Sequence, residues 1–224
     1  MAENKFYAAY QKLVTFLLLL FTFLLPLKFG GIVGVPEATG LFTDQIFAYL
    51  IISWPVFLFP LFSGIILLLS IFAFPVHQLR FKTDKALLVA VFWVLLAFTS
   101  LLGMVNATVW DFVIMQLTHL FGLAAYVLAL YLFLRHRPGA GKLLIGAVFA
   151  GVIVSVYLGL EQYFSGFEEM REFIKKQEAL GIRGNTDIKA RVFDDRLHAP
   201  FIGSNSLAGY LLLTAPLTLV VLWN

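Results

Sequence analysis

Between positions 13 and 27 the chain runs without an Asp, Glu, Lys or Arg, and runs of this kind recur until its last residues. Backbone inside hydrocarbon has to satisfy its own N–H and C=O groups, and an α-helix does so within a single segment. Roughly 20 apolar residues carry a helix across the bilayer core. The runs that meet this requirement predict about six spans. The first is 13–27, extended to 35 if Lys28 snorkels to the interface. The second, 46–74, is interrupted by Trp54-Pro55 and Pro60, which leave a span from about Val56. The others are 86–104, 112–134, 143–160 and 206–223.

Composition excludes the soluble alternative. The 224 residues are 61% hydrophobic and 13% charged, whereas a soluble domain carries about 25% charged residues. A net charge of +3 is too small and too dispersed for a nucleic-acid partner. With no cysteine, disulfides, thiolate metal sites and thiol nucleophiles are excluded. The sequence contains no phosphate loop, serine triad, paired catalytic carboxylates or metal cluster, so neither a metal nor a cofactor is expected. Lys5 and Lys12 give the first run a basic start, but Lys28-Phe29-Gly30-Gly31 is a poor cleavage site. The run therefore reads as an uncleaved helix.

Lys and Arg resist export and so report orientation. Lys5, Lys12, Arg80, Lys82, Lys85, Arg135, Arg137 and Lys142 fall on the N-terminal side and in the second and fourth connections. The first and third connections hold only Lys28. The N-terminus is accordingly expected in the cytoplasm, with the odd connections outside. The fold class is all-α, a polytopic helical bundle in three parts: helices over 1–160, an outer segment over 161–205, and a sixth helix over 206–224.

The outer segment concentrates the polar chemistry. Ser165 with Glu168 reads as a capping box and Gly181 as a stop, predicting an amphipathic helix over 165–180 with Glu172 and Lys176 as an i,i+4 pair. After it comes Arg191-Val-Phe-Asp-Asp-Arg196-Leu-His198-Ala-Pro-Phe201-Ile-Gly-Ser-Asn205, leading into Ser-Leu-Ala208-Gly209-Tyr210-Leu211. Asn is a good helix cap, and free N–H groups at a helix start attract anions. Arg196 and Arg191 beside that start make a site suited to phosphate or pyrophosphate, which guanidinium grips bidentately. His198 is an additional candidate.

At these residues the chain resembles the O-antigen ligase family, with its relatives the O-antigen polymerases and the protein O-oligosaccharyltransferases. In that family a span following a periplasmic loop opens with Arg, several residues, Phe-Gly-Asn-Pro-Asn, then Leu/Phe-Ala-Gly-Tyr-Leu. Arg196, Phe201, Asn205 and Ala208-Gly209-Tyr210-Leu211 match. Ile202, Gly203 and Ser204 depart from it. The resemblance implies a multi-pass protein of the bacterial inner membrane whose donor is a polyprenyl-pyrophosphate-linked glycan. The acceptor would be lipid A–core, another glycan or a protein, and Arg196 would neutralise the pyrophosphate. The family has about twice as many spans, and its presumed catalytic base, a His, lies in a later loop. That base is expected beyond Asn224, and the chain alone is expected to be inactive.

Two other classes stay open on the sequence. A transporter or flippase would also show polar residues within spans, such as Gln116, Thr118 and His119, and Pro-broken helices. A non-catalytic membrane subunit or fragment is the other. Ala147, Gly151, Ser155 and Gly159 form a small-residue stripe whose expected role is close helix packing. The triplet Asn106-Ala-Thr108 fits a glycosylation signal but sits in a tight turn near the membrane and is set aside.

Overall fold

A computed structural model of the chain describes residues 2–29, 54–55, 57–74, 98–99, 110–181, 186–193 and 204–223. The described residues are helical apart from short turns and caps. Helices α1 (Ala2–Phe29), α2 (Leu58–Ala73), α3 (Trp110–His136) and α4 (Gly141–Glu161) are followed by α5 (Phe167–Ala179), α6 (Thr186–Phe193) and α7 (Ser204–Trp223). Three stretches are long and apolar enough to cross a membrane: Lys5–Phe29, Val113–His136 and Gly141–Phe164. Leu58–Ala73 and Ser206–Pro216 are shorter apolar helices. The predicted third span, 86–104, lies outside the described residues except for 98–99, which are helical.

Proline sets several of the boundaries. Trp54 precedes Pro55 and is not helical, as expected of a residue whose α conformation a following proline disfavours. Pro60 sits in the first turn of α2, where the missing N–H has no partner to lose. Phe74 (φ −129°, ψ 89°) ends α2 before Pro75, and its N–H still reaches the Ser70 carbonyl at 2.8 Å. Arg137 (φ −132°, ψ 79°) likewise ends α3 before Pro138, which opens a 3₁₀ turn, Pro138–Ala140.

The chain forms two compact units: Met1–Leu18 with Phe57–Gly141, and Leu19–Val56 with Lys142–Asn224. In the first, α2 buries Ser63, Ile66, Ser70 and Ala73, while α3 buries Gly122, Tyr126, Ala129 and Phe133. Both rows alternate steps of three and four residues, the spacing of helices packed along a shared seam. Phe59 stacks on His119 with ring centroids 6.0 Å apart, and Phe74 meets Phe133 at 5.9 Å and His136 at 5.7 Å. Early residues of α2 thus meet early residues of α3, and late meet late. The two helices run parallel.

The start of α1 closes the end of α2. The last carbonyls of a helix have no intrahelical donor. Here Tyr7 Oη and Gln11 Nε2 donate to the Ala73 carbonyl at 2.8 and 2.9 Å, and Tyr10 Oη donates to that of Leu69 at 3.0 Å. Because Tyr7 pairs with Ala73 and Tyr10 with the earlier Leu69, α1 and α2 run in opposite directions.

In the second unit the later half of α1 packs along α4. Leu27 and Leu158 are buried together, with Phe23 and Val154 against them. The small-residue stripe explains the closeness: Gly151, Ser155 and Gly159 are buried, and Ser155 Oγ donates back to the Gly151 carbonyl at 2.8 Å. Gly151 lies against Phe23 and Pro26, and Leu158, further along α4, is buried with Leu27, further along α1, so this pair is parallel. At the end of α1, the Trp54 N–H donates to the Lys28 carbonyl at 2.8 Å, and the Lys28 ammonium lies 5.8 Å from the Trp54 ring centre.

Candidate functional site

Nothing interrupts the helix where α4 leaves its apolar stretch. Residues Gln162–Gly166 form a π-helical turn, with helical angles at both Glu161 and Phe167 and the Phe167 N–H bonded to the Gln162 carbonyl. A capping box needs a non-helical cap residue, yet the chain through Ser165 continues a helix already under way. The amphipathic helix expected over 165–180 is therefore Phe167–Ala179, entered through a π turn. The sequence pattern missed this because a π turn is a change of hydrogen-bond register, visible only in the backbone.

The far end of α5 is set by Gly181, whose φ of 76° is the left-handed conformation that glycine adopts without steric cost. The Leu180 and Gly181 N–H groups close the last turn onto the carbonyls of Lys176, Gln177 and Glu178. Helix α6 then packs back on α5. Lys189 pairs with Glu178 near the turn, and at the other end Arg171 Nη2 donates to the Val192 carbonyl at 3.4 Å. Phe193 is approached by two cations, Arg171 and Lys189, each 6.0 Å from its ring centre. Attraction to a ring face adds roughly 0.5–1 kcal/mol per cation at exposed sites. Val192 is buried beneath them. Among the described residues Glu172 and Lys176 form no ion pair, and Glu178 is paired with Lys189 of the neighbouring helix.

Of the four residues expected to bind substrate, two belong to described helices. Arg191 is in the backbone of the last turn of α6. Asn205, expected as the cap of the final helix, is itself helical, because α7 already includes Ser204; a cap residue has non-helical angles. Arg196 and His198 lie between them, outside the described residues, as does Phe201. One further residue of the motif has a clear structural place. Tyr210 extends from α7 to α4, its hydroxyl 3.3 Å from where a Cβ would stand on Gly151.

A groove of about 570 Å³ opens beside the π turn. It is lined by Tyr163, Phe164 and Phe167 of the π turn and its exit, and by Glu168, Arg171, Glu172 and Lys175, two carboxylates and two cations on the next turns. In the sequence Glu168 and Glu172 stand out only as helix-forming residues. The available signal was the spacing 168, 171, 172, 175, which puts alternating charges on one helix face directly after an apolar span.

The polar residues of α3 have local roles. Thr118 Oγ1 donates to the Ile114 carbonyl at 2.7 Å, His119 Nδ1 to that of Met115 at 2.7 Å, and Gln116 is exposed. His119 makes its contact with the neighbouring helix by stacking on Phe59.

No protein-family model, curated protein or solved structure matches the chain.

Proposed function

We propose that this membrane protein is O-antigen ligase-like and holds the pyrophosphate of a polyprenyl-linked glycan at the outer face of the bacterial inner membrane. The acceptor would be lipid A–core, a glycan or a protein. In the reaction an acceptor oxygen forms a bond to the anomeric carbon, the bond from that carbon to the pyrophosphate breaks, and polyprenyl pyrophosphate leaves. Arg196, with Arg191 and the start of α7, takes up the leaving charge. The base that receives the acceptor proton is not among the residues assigned.

The observation that supports this reading is the helix Ser204–Trp223, which carries Asn205 and Ala208-Gly209-Tyr210-Leu211 of the motif on one element. The N-terminal end of such a helix is suited to an anion. Helix directions support the six-span topology. In alternating crossings, neighbours in order run opposite ways and next-but-one crossings run the same way. Within one unit α1 opposes α2, and α2 parallels α3 across an intervening apolar segment, 86–104. Within the other, the later half of α1 parallels α4.

Two measurements test the proposal. Purified full-length chain in nanodiscs is titrated with polyprenyl pyrophosphate. Arg196→Ala is expected to weaken binding by about tenfold or more and Arg196→Lys by less, since loss of a charge-assisted bidentate contact is worth roughly 1.5–3 kcal/mol. Equal affinity in all three chains overturns the role of Arg196. For orientation, Ala179→Cys introduces a single thiol into a chain without any. Labelling of intact spheroplasts by a membrane-impermeant maleimide is expected, and labelling only in inverted vesicles rejects the assignment.

A further inference from the structure

The groove at the π turn has a charge pattern that the pyrophosphate reading leaves unused. The apolar stretch Gly141–Phe164 ends at its edge, so the groove begins where the helix passes from hydrocarbon to water. Tyr163 and Phe164 are exposed there while Phe167 is buried beneath. An exposed Tyr at the end of an apolar span is a usual anchor of a membrane interface, its ring toward lipid and its hydroxyl toward water. On the next two turns Glu168, Arg171, Glu172 and Lys175 line the same groove.

We propose that this groove binds the headgroup of a zwitterionic phospholipid, phosphatidylethanolamine. A free anion entering it meets Glu168 and Glu172 as well as the cations, and a free cation meets Arg171 and Lys175 as well as the acids. A headgroup carrying both a phosphate and an ammonium matches both pairs. The phosphate sits against Arg171 and Lys175, and the ammonium against Glu168 and Glu172. Tyr163 and Phe164 flank the glycerol and upper acyl carbons. Ethanolamine is favoured over choline because its primary ammonium donates N–H bonds to carboxylates, whereas a quaternary ammonium has none to give and would rest on aromatic faces alone. The groove involves the π turn and α5 and does not depend on the glycan-transfer reading.

Native mass spectrometry of the detergent-purified full-length chain tests this. The chain is presented with an equimolar mixture of phosphatidylethanolamine, phosphatidylcholine and phosphatidylglycerol of matched acyl chains. Retained ethanolamine lipid is expected to exceed choline lipid by about fivefold, the upper end for exposed ion pairs. The double substitution Glu168→Gln/Glu172→Gln is expected to bring that ratio to about one, with total bound lipid unchanged. Lys175→Gln, a milder surface change, should lower ethanolamine-lipid retention, and Lys176→Gln, off the groove, should not. Equal retention of the two zwitterionic lipids, a preference that survives the double substitution, or strongest retention of phosphatidylglycerol overturns the proposal. So does displacement of the ethanolamine lipid by millimolar inorganic phosphate, which would mark a free-phosphate site.

Discussion

Gly151 of α4 lies against Pro26 of α1: a Cβ on the glycine would stand 3.2 Å from the Pro26 Cγ and 3.3 Å from the Phe23 carbonyl oxygen. In lipid, where burial offers no hydrophobic gain between helices, closeness of this kind is the source of packing energy. The proline ring and the Tyr210 hydroxyl, also 3.3 Å away, can yield by a few tenths of an ångström, but a helix carbonyl cannot move alone. Gly151→Ala should therefore lower thermal stability in detergent modestly, because the two helices must part by a few tenths of an ångström at Phe23. Gly151→Leu should cost about 1–3 kcal/mol or more through overpacking, read as a lowered melting temperature. A leucine variant that melts with the parent chain would show that α1 and α4 are not in contact.

Gly122 gives a sharper contrast. A Cβ there would fall 2.7 Å from the Pro60 Cα, which is backbone, while at Gly146 it would meet nothing within 4 Å. Gly122→Ala should separate α2 from α3 and destabilise the protein by about 1–3 kcal/mol. Gly146→Ala should be neutral or stabilising by up to about 1 kcal/mol, since alanine is the better helix former. Melting of the two variants side by side tests this. A loss at Gly146 equal to that at Gly122 would contradict the packing described.

Those contacts also show what one-dimensional pattern could and could not reveal. The long apolar runs predicted α1, α3 and α4 because spanning a bilayer demands a length that sequence displays directly. The stripe from Ala147 to Gly159 pointed to close packing because small residues four apart share a helix face, and Gly151, Ser155 and Gly159 are buried. The polar residues of the first turns carried no such signal. Tyr7, Tyr10 and Gln11 precede the apolar run 13–27, and their use becomes visible only when the last carbonyls of α2 lie beside them. The groove at Tyr163 escaped notice for a similar reason, since it depends on the π turn that links α4 to α5. Arg196 and His198 remain a reading of sequence and resemblance, while Tyr210 of the same motif has a packing role against Gly151.

The Ala73 carbonyl, shared by Tyr7 and Gln11, predicts non-additivity. Removing either donor leaves the other in place, so Tyr7→Phe and Gln11→Leu should each cost at most about 0.5–1.5 kcal/mol. The double variant leaves the carbonyl of a fully buried residue with no side-chain donor. It should cost more than the two single losses together, because an unsatisfied acceptor carries its own penalty of about 1–3 kcal/mol. A double-mutant cycle on unfolding free energy in detergent measures the coupling. Strict additivity would mean that water satisfies the carbonyl.

The turn after α5 isolates a backbone effect. At Gly181 φ is 76°, yet no atom lies within 4 Å of where a Cβ would project. A side chain there meets no neighbour, so any penalty must come from the left-handed conformation itself, about 1–2 kcal/mol for an ordinary L-residue. Asparagine tolerates that region better than alanine does. The expected order of hairpin stability is accordingly Gly181, then Gly181→Asn, then Gly181→Ala. Hydrogen exchange provides the readout. The amides of Leu180 and residue 181, which close the last turn of α5, should exchange fastest in the alanine variant. Amides within α4 should keep their protection, because the strain is local and α4 is held by its packing on α1. Faster exchange in Gly181→Asn than in Gly181→Ala would mean that something other than the sign of φ fixes this turn.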